Sequence, residues 1–149
     1  MGQSYTALDY HIVYSTKDRL ELITPEVRPR LYDYIGGIIA QEGGQMREVG
    51  GMPDHLHILA RLSSTRAIAD VLRVVKTNSS KWVRETFSHR RFAWQAGYAA
   101  FSVSRSNVDR VRGYIQNQER HHKKLTFKQE VVALLEKHEV EYDKQYLWA

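Results

Sequence analysis

Two short patterns in this 149-residue chain could carry chemistry. The first is His55-Leu56-His57. On a strand, alternate side chains share a face, so both imidazoles point one way while Leu56, Ile58 and Ala60 point the other. Two imidazoles so placed can share a divalent cation. The plainer reading is a pair of surface histidines on a half-exposed strand, and His-x-His alone does not choose between them. His11 falls on the corresponding face of an earlier strand, either as a partner behind the pair or as a partly buried structural histidine.

The second pattern is Tyr114-Ile115-Gln116-Asn117-Gln118. Four apart on a helix, Tyr114 and Gln118 stack on one face. A phenolic oxygen can attack phosphorus to give a covalent phosphotyrosine, and a carboxamide oxygen can add a hard ligand to two imidazoles. With a pKa near ~10, about one phenol in a thousand is ionised at pH 7, so the nucleophile needs an activator or a metal-polarised electrophile. Tyrosine four before glutamine is equally an ordinary helix surface pair. His121, seven beyond Tyr114, returns to the same face, although His121, His122, Lys123 and Lys124 also suit the negative end of a helix dipole.

The surroundings favour a phosphodiester. Arg105, Arg110, Arg112, Arg120, Lys123 and Lys124 surround Tyr114, and Arg66, Arg73, Lys76, Lys81 and Arg84 dot an earlier helical stretch. The net charge is only +5, but residues 61–124 carry a balance of +10 between flanks of −3 and −2. Such a basic middle attracts a polyanion. Trp82, Trp94 and Tyr98 could stack on bases, with Trp82 better placed for the core. The absence of cysteine excludes a disulfide scaffold, a thiolate zinc site and a cysteine nucleophile, and it fits a reducing cytoplasm. No apolar run reaches the ~18 residues of a membrane span, and residues 1–14 lack the pattern of a signal peptide.

The elements that must position these residues follow from periodicity. Alternation predicts strands over Tyr5–Tyr14, Gln45–Val49, His55–Leu62 and Tyr98–Ser104, with Gly50-Gly51-Met52-Pro53-Asp54 as a tight connection. Thr24 and Pro25 start a helix whose apolar stripe runs from Val27 to Ile39 and stops at Gly43-Gly44. Ser63-Ser64-Thr65 caps a long amphipathic helix, weakened at Asn78-Ser79-Ser80, and Ser88–Gly97 is irregular. Asn107 opens a helix that runs past Gln118 to Lys124, and Thr126–Lys137 forms a last short one. The order β-α-β-β-α-β is the α+β, ferredoxin-like split βαβ, expected as one domain over residues 1–149 with two helices on one sheet face and the other face open. His55 and His57 then stand on the open face, with an added C-terminal helix carrying Tyr114.

In combination these motifs resemble the single-tyrosine HUH transposases, the insertion-sequence 200-like family that includes the REP-associated tyrosine transposases. The resemblance spans about Tyr5 to Trp148. It rests on residues 10–17, on Gly50-Gly51-Met52-Pro53-Asp54-His55-Leu56-His57, on residues 76–82, 92–95 and 101–104, on Tyr114 to Gln118, and on the tail from Glu141 to Trp148. It implies an enzyme that cuts single-stranded or hairpin DNA with Mg²⁺ or Mn²⁺. His55, His57 and Gln118 would hold the metal, and Tyr114 would form a 5′-phosphotyrosine that a second 3′-hydroxyl resolves. It further implies a homodimer whose active sites are shared between subunits. Two other readings stay open: a host-adapted nuclease processing chromosomal repeats, and a non-catalytic nucleic-acid-binding module of the same fold. Aromatic RNA-binding signatures are absent from the third strand, where the two histidines stand instead.

Overall fold

Four strands form a single antiparallel sheet in the order β2-β3-β1-β4. They are β1 (Asp9–Ser15), β2 (Gln45–Met52), β3 (His55–Arg61) and β4 (Ala99–Val103). The helices are α1 (Arg28–Gln41), α2 (Ile68–Thr86), α3 (Val108–Gln116), α4 (Gln118–His121) and α5 (Phe127–Lys137). This computed structural model describes residues 2–147, so Trp148 of the expected tail lies outside the described residues. Connectivity and strand order are those of the expected ferredoxin-like arrangement. No helix among the described residues is long and apolar enough to cross a membrane.

Local chemistry explains the boundaries. Thr24 opens the first helical turn, accepting from Arg28 N through its carbonyl at 2.9 Å. Gly43, at φ 84°, ends α1 in a left-handed cap in which Gly44 N donates to the Ile39 carbonyl. The serines of Asn78-Ser79-Ser80 do not break α2. Ser80 Oγ bonds back to the Lys76 carbonyl at 2.8 Å, and Ser79 Oγ accepts from Trp94 Nε1 at 3.0 Å.

Gly50 and Gly51 belong to β2 rather than to a connection, pairing with His57 and Leu56. The reason is steric. A Cβ on Gly50 would lie 2.8 Å from the Ile115 carbonyl oxygen, so the bare backbone lets α3 sit directly on the strand.

One sheet face holds the main core, in which Ile12, Tyr14, Leu56, Ile58 and Ala60 pack beneath α1 and α2. The opposite face is not open, contrary to expectation. Val108 and Ile115 of α3 cover Leu59 and Val103, while Phe127, Val131 and Leu135 of α5 cover Val13 and Phe101. The sequence has enough apolar stripe after β4 to bury that face as well.

The single helix expected from Asn107 to Lys124 is divided. Asn117, at φ −103° and ψ 26°, breaks it, and its side chain donates back to the Gly113 carbonyl at 2.8 Å. The break turns Gln118 inward, where it is 2% exposed.

Candidate active site

β3 delivers His55 and His57 to the face covered by α3, α4 and α5, and both are buried, 1% and 0% exposed. They share that face as alternation requires. His11 of β1 is buried beside them, with Nε2 2.8 Å from His57 Nδ1. Of the two roles open to it, the structure places it directly behind His57. Burial, with the neighbouring His57 adding to it, lowers the His11 pKa from 6.5 to about 3, and burial likewise lowers that of His57. Both rings are therefore neutral, the form that can ligate a cation.

Asp54 completes the hairpin before His55 and accepts from its Nδ1 at 2.8 Å. Burial opposes ionisation of Asp54, yet the hydrogen bond from His55 holds its pKa below the usual value. Gln118 brings Oε1 to 3.1 Å from His55 Nε2. Donor atoms around one ion at about 2.1 Å stand about 3.0–3.4 Å apart, the spacing that His55 Nε2 and Gln118 Oε1 show.

Tyr114 lies over its own sheet. Its ring centroid is 5.8 Å from that of His57 and 5.8 Å from that of His11, and His121 stacks on it at 4.4 Å. The resemblance implied a site shared between subunits; within this one chain Tyr114 already stands beside its own His57. The short turn Arg105–Asn107 folds α3 back so that Val108 and Ile115 seal its own chain's Leu59 and Val103.

The centre of the site is a residue the sequence reading did not single out. Glu130 of α5 is 1% exposed. Its Oε1 lies 3.0 Å from His57 Nε2, 3.1 Å from His122 Nε2 and 3.5 Å from His55 Nε2. Its Oε2 accepts from Gln118 Nε2 at 3.0 Å and from the Tyr114 hydroxyl. Burial alone would raise the Glu130 pKa, but these hydrogen bonds outweigh it and hold the carboxylate ionised. Burial, reinforced by Glu130, pushes the Tyr114 phenol well above its usual pKa and keeps it protonated. His55, His122 and Glu130 bring ligand atoms within 4.8 Å of one another. A signal for Glu130 was available: it interrupts the α5 stripe Phe127, Val131, Leu135 with one carboxylate. His122 gave none beyond its basic neighbours.

The basic residues divide between surfaces. Several cations in and just before α2 are occupied: Arg66 pairs with Glu42, Arg73 with Asp70, and Arg84 donates to the Phe92 carbonyl. Lys76 donates to the Gln95 carbonyl and stands 4.8 Å over the Tyr14 ring. Arg105, Arg110, Arg120, Lys123 and Lys124 are exposed on the Tyr114 side. A cleft of about 470 Å³, lined by Arg28, Tyr32, Gly50, Gln118, Arg120 and Lys123 among others, opens beside the buried cluster. Trp94 is core, edge-on to Tyr14 and Phe92, and Trp82 stacks on Tyr34; Tyr98 remains 39% exposed.

Similarity to known proteins agrees with this geometry. The ISDra2 transposase TnpA of Deinococcus radiodurans is 27% identical over 124 residues, covering 78% of this chain and 89% of that protein. A crystal structure of a transposase from the same organism aligns with TM-score 0.63 and 26% identity over 79% of this chain and 96% of the other. A REP-associated tyrosine transposase bound to a REP hairpin shares the fold, with TM-score 0.60 and 13% identity over 84% and 74% of the two chains. The family model described as "Transposase IS200 like" matches residues 4–118, a span that holds the histidine pair, Tyr114 and Gln118. The chain thus belongs to the IS200-like transposase family.

Proposed function

We propose that this transposase is a metal-dependent single-strand DNA endonuclease and strand transferase that works through a 5′-phosphotyrosine on Tyr114. The observation that carries the reading is the convergence of the Tyr114 hydroxyl and His57 Nε2 on the two oxygens of one buried carboxylate, Glu130. His55, His57 and Gln118 would hold Mg²⁺ or Mn²⁺. When bound, such an ion polarises a phosphate and stabilises the charge that develops on its oxygens.

The chain's own residues do the rest. Tyr114 Oη attacks phosphorus, the bond to the 3′-oxygen breaks with its electron pair, and that oxygen takes a proton from solvent water to leave as a 3′-hydroxyl. Glu130 Oε2, already bonded to the phenol, accepts its proton as the new bond forms. Neutral His11 supports His57 from behind, and Asp54 orients His55. Because the phosphotyrosine keeps the phosphodiester energy, a second 3′-hydroxyl can displace Tyr114 and join strands without hydrolysis.

The exposed cations on the Tyr114 side and the cleft beside Gln118 suit a single strand. The hairpin held by the REP-associated relative supports a hairpin partner here. One domain, residues 1–149, would act as a homodimer in the cytoplasm, each subunit using its own histidines with its own tyrosine. A non-catalytic sheet binder needs exposed aromatics on its free face, and here that face is covered. Incubation with single-stranded hairpin DNA and Mg²⁺ or Mn²⁺ tests the reading. A denaturant-stable protein–DNA adduct is expected, and its absence with both metals would overturn it.

A further inference from the structure

We propose that His122 and Glu130 are ligands of the same divalent cation as His55, His57 and Gln118, making a centre that favours a nitrogen-preferring transition ion over Mg²⁺. The inference rests on the metal site proposed above and extends it by two residues. Both lie beyond the segment 4–118 that the family model matches.

The argument is a count of protons and lone pairs. Asp54 Oδ1 lies 2.8 Å from His55 Nδ1, so that nitrogen carries the ring proton and Nε2 keeps a lone pair. The Leu125 carbonyl lies 3.0 Å from His122 Nδ1. A carbonyl can only accept, so His122 takes the same tautomer and its Nε2 is also a lone pair. Gln118 donates Nε2 to Glu130 Oε2 at 3.0 Å, which turns its Oε1 toward the histidines.

Four lone-pair atoms therefore face one another. Gln118 Oε1 is 3.1 Å from His55 Nε2 and 3.2 Å from His122 Nε2. Glu130 Oε1 is 3.1 Å from His122 Nε2 and 3.5 Å from His55 Nε2. His57 Nε2 closes the group, 3.0 Å from the same Glu130 oxygen. Such a set repels itself unless a positive charge lies within it. One cation satisfies the first four atoms, since ligands about 2.1 Å from an ion are spaced about 3.0–3.4 Å apart, and His57 would turn its Nε2 from Glu130 to join them. His122 also has the outer hydrogen bond to a carbonyl that orients ligating imidazoles. Three imidazoles in one centre suit a transition ion, whereas Mg²⁺ prefers oxygen ligands and retains its waters.

The test uses Co²⁺ titrated into the metal-free full chain. Calorimetry reads affinity, and proton NMR reads the hyperfine-shifted, exchangeable N–H signals of ligating imidazoles. Wild type is expected to show three such signals, and about a hundredfold excess of Mg²⁺ should leave them in place. His122→Ala should show two, with Co²⁺ affinity lowered about tenfold or more. Glu130→Gln keeps size and shape and should lower affinity similarly while retaining three signals.

Two signals in wild type, displacement by Mg²⁺, or wild-type affinity in both variants would overturn the proposal. The wild-type spectrum decides the ligand count even if a variant does not fold. His57→Ala separates this inference from its parent. Undiminished Co²⁺ binding there sinks the whole metal site, whereas loss confined to His57→Ala rejects only His122 and Glu130 as ligands.

Discussion

The Tyr114 hydroxyl donates to Glu130 Oε2, and the other oxygen of the same carboxylate lies 3.0 Å from His57 Nε2. A single buried side chain from α5 therefore ties Tyr114, the proposed nucleophile, to the histidine pair of β3. The pairing keeps the phenol protonated at rest and gives its proton a destination 16 residues along the chain. Tyrosine, carboxylate and imidazole form one hydrogen-bonded unit, so changes at any of them act on the others.

Tyr114→Phe separates chemistry from binding. It removes only the attacking oxygen, so hairpin binding by gel shift should persist while the covalent adduct disappears. Glu130 loses one donor but keeps Gln118 Nε2, and the stability cost should stay near 1–3 kcal/mol. An adduct formed at the wild-type rate would remove Tyr114 as nucleophile.

Acid should unfold this protein early. His11 is held neutral, with its pKa lowered from 6.5 to about 3. The unfolded chain therefore binds a proton that the folded chain refuses, and stability falls as pH drops below about 6.5 toward 3. Each pH unit in that window costs about 1.4 kcal/mol for one such group. His57 adds in the same direction, and Glu130, held ionised, steepens the loss once unfolded carboxylates begin to protonate near about 4.3. Above pH 7 these groups contribute no slope. Thermal melts from pH 8 to 4 should show this profile, and His11→Asn should flatten its upper part.

Gly50→Ala probes how α3 is seated. The added methyl would meet the Ile115 carbonyl oxygen at 2.8 Å and Ile115 Cγ2 at 3.0 Å, both firm neighbours. The expected result is a loss of about 1–3 kcal/mol, together with a sharp drop in adduct formation as α3 and Tyr114 lift from the sheet. Unchanged adduct yield would mean that the close approach of α3 to β2 does not position the tyrosine.

The sequence made the sheet legible through local periodicity, and it made His55, His57, Tyr114 and Gln118 candidates through short motifs whose roles came from the family resemblance. Alternation marks β3 and puts His55 and His57 on one face, and Pro53-Asp54 before them marks the hairpin. What it hid was nonlocal. Nothing near β3 announces that α5 will bury a carboxylate against it, since Glu130 and His57 meet only in the folded chain. The covering of the second face was missed for a similar reason: an amphipathic stripe such as Val108 and Ile115 does not state which surface it will cover. The break at Asn117 was hidden too, because an asparagine inside a helical pattern costs little until its side chain finds the Gly113 carbonyl.

DNA affinity should weaken steeply with salt. The exposed cations Arg105, Arg110, Arg120, Lys123 and Lys124 surround the Tyr114 side, with Arg28 in the adjoining cleft. With about six phosphates neutralised at ~0.7 each, log K for a single strand should fall against log salt with a slope of about −4. Arg120→Ala should lower that slope by about 0.7. A flat dependence would return these residues to an ordinary solvated surface.

The site assembled within one chain makes a definite prediction for a dimer. Co-expressing a Tyr114→Phe chain with a His57→Ala chain and isolating the mixed dimer gives two composite possibilities. If each tyrosine serves its own histidines, one site lacks the nucleophile, the other lacks a metal ligand, and the mixed dimer should form no adduct. If tyrosines cross to the partner, one site combines the intact histidines of the first chain with the intact Tyr114 of the second, and adduct should appear at about half the wild-type yield. Because Arg105–Asn107 is a single tight turn and Val108 and Ile115 seal Leu59 and Val103, the expected result is an inactive mixed dimer. Adduct from a properly assembled mixed dimer would show that α3 leaves its own sheet in the working enzyme. The covering of Leu59 and Val103 would then have to come from the partner's helix.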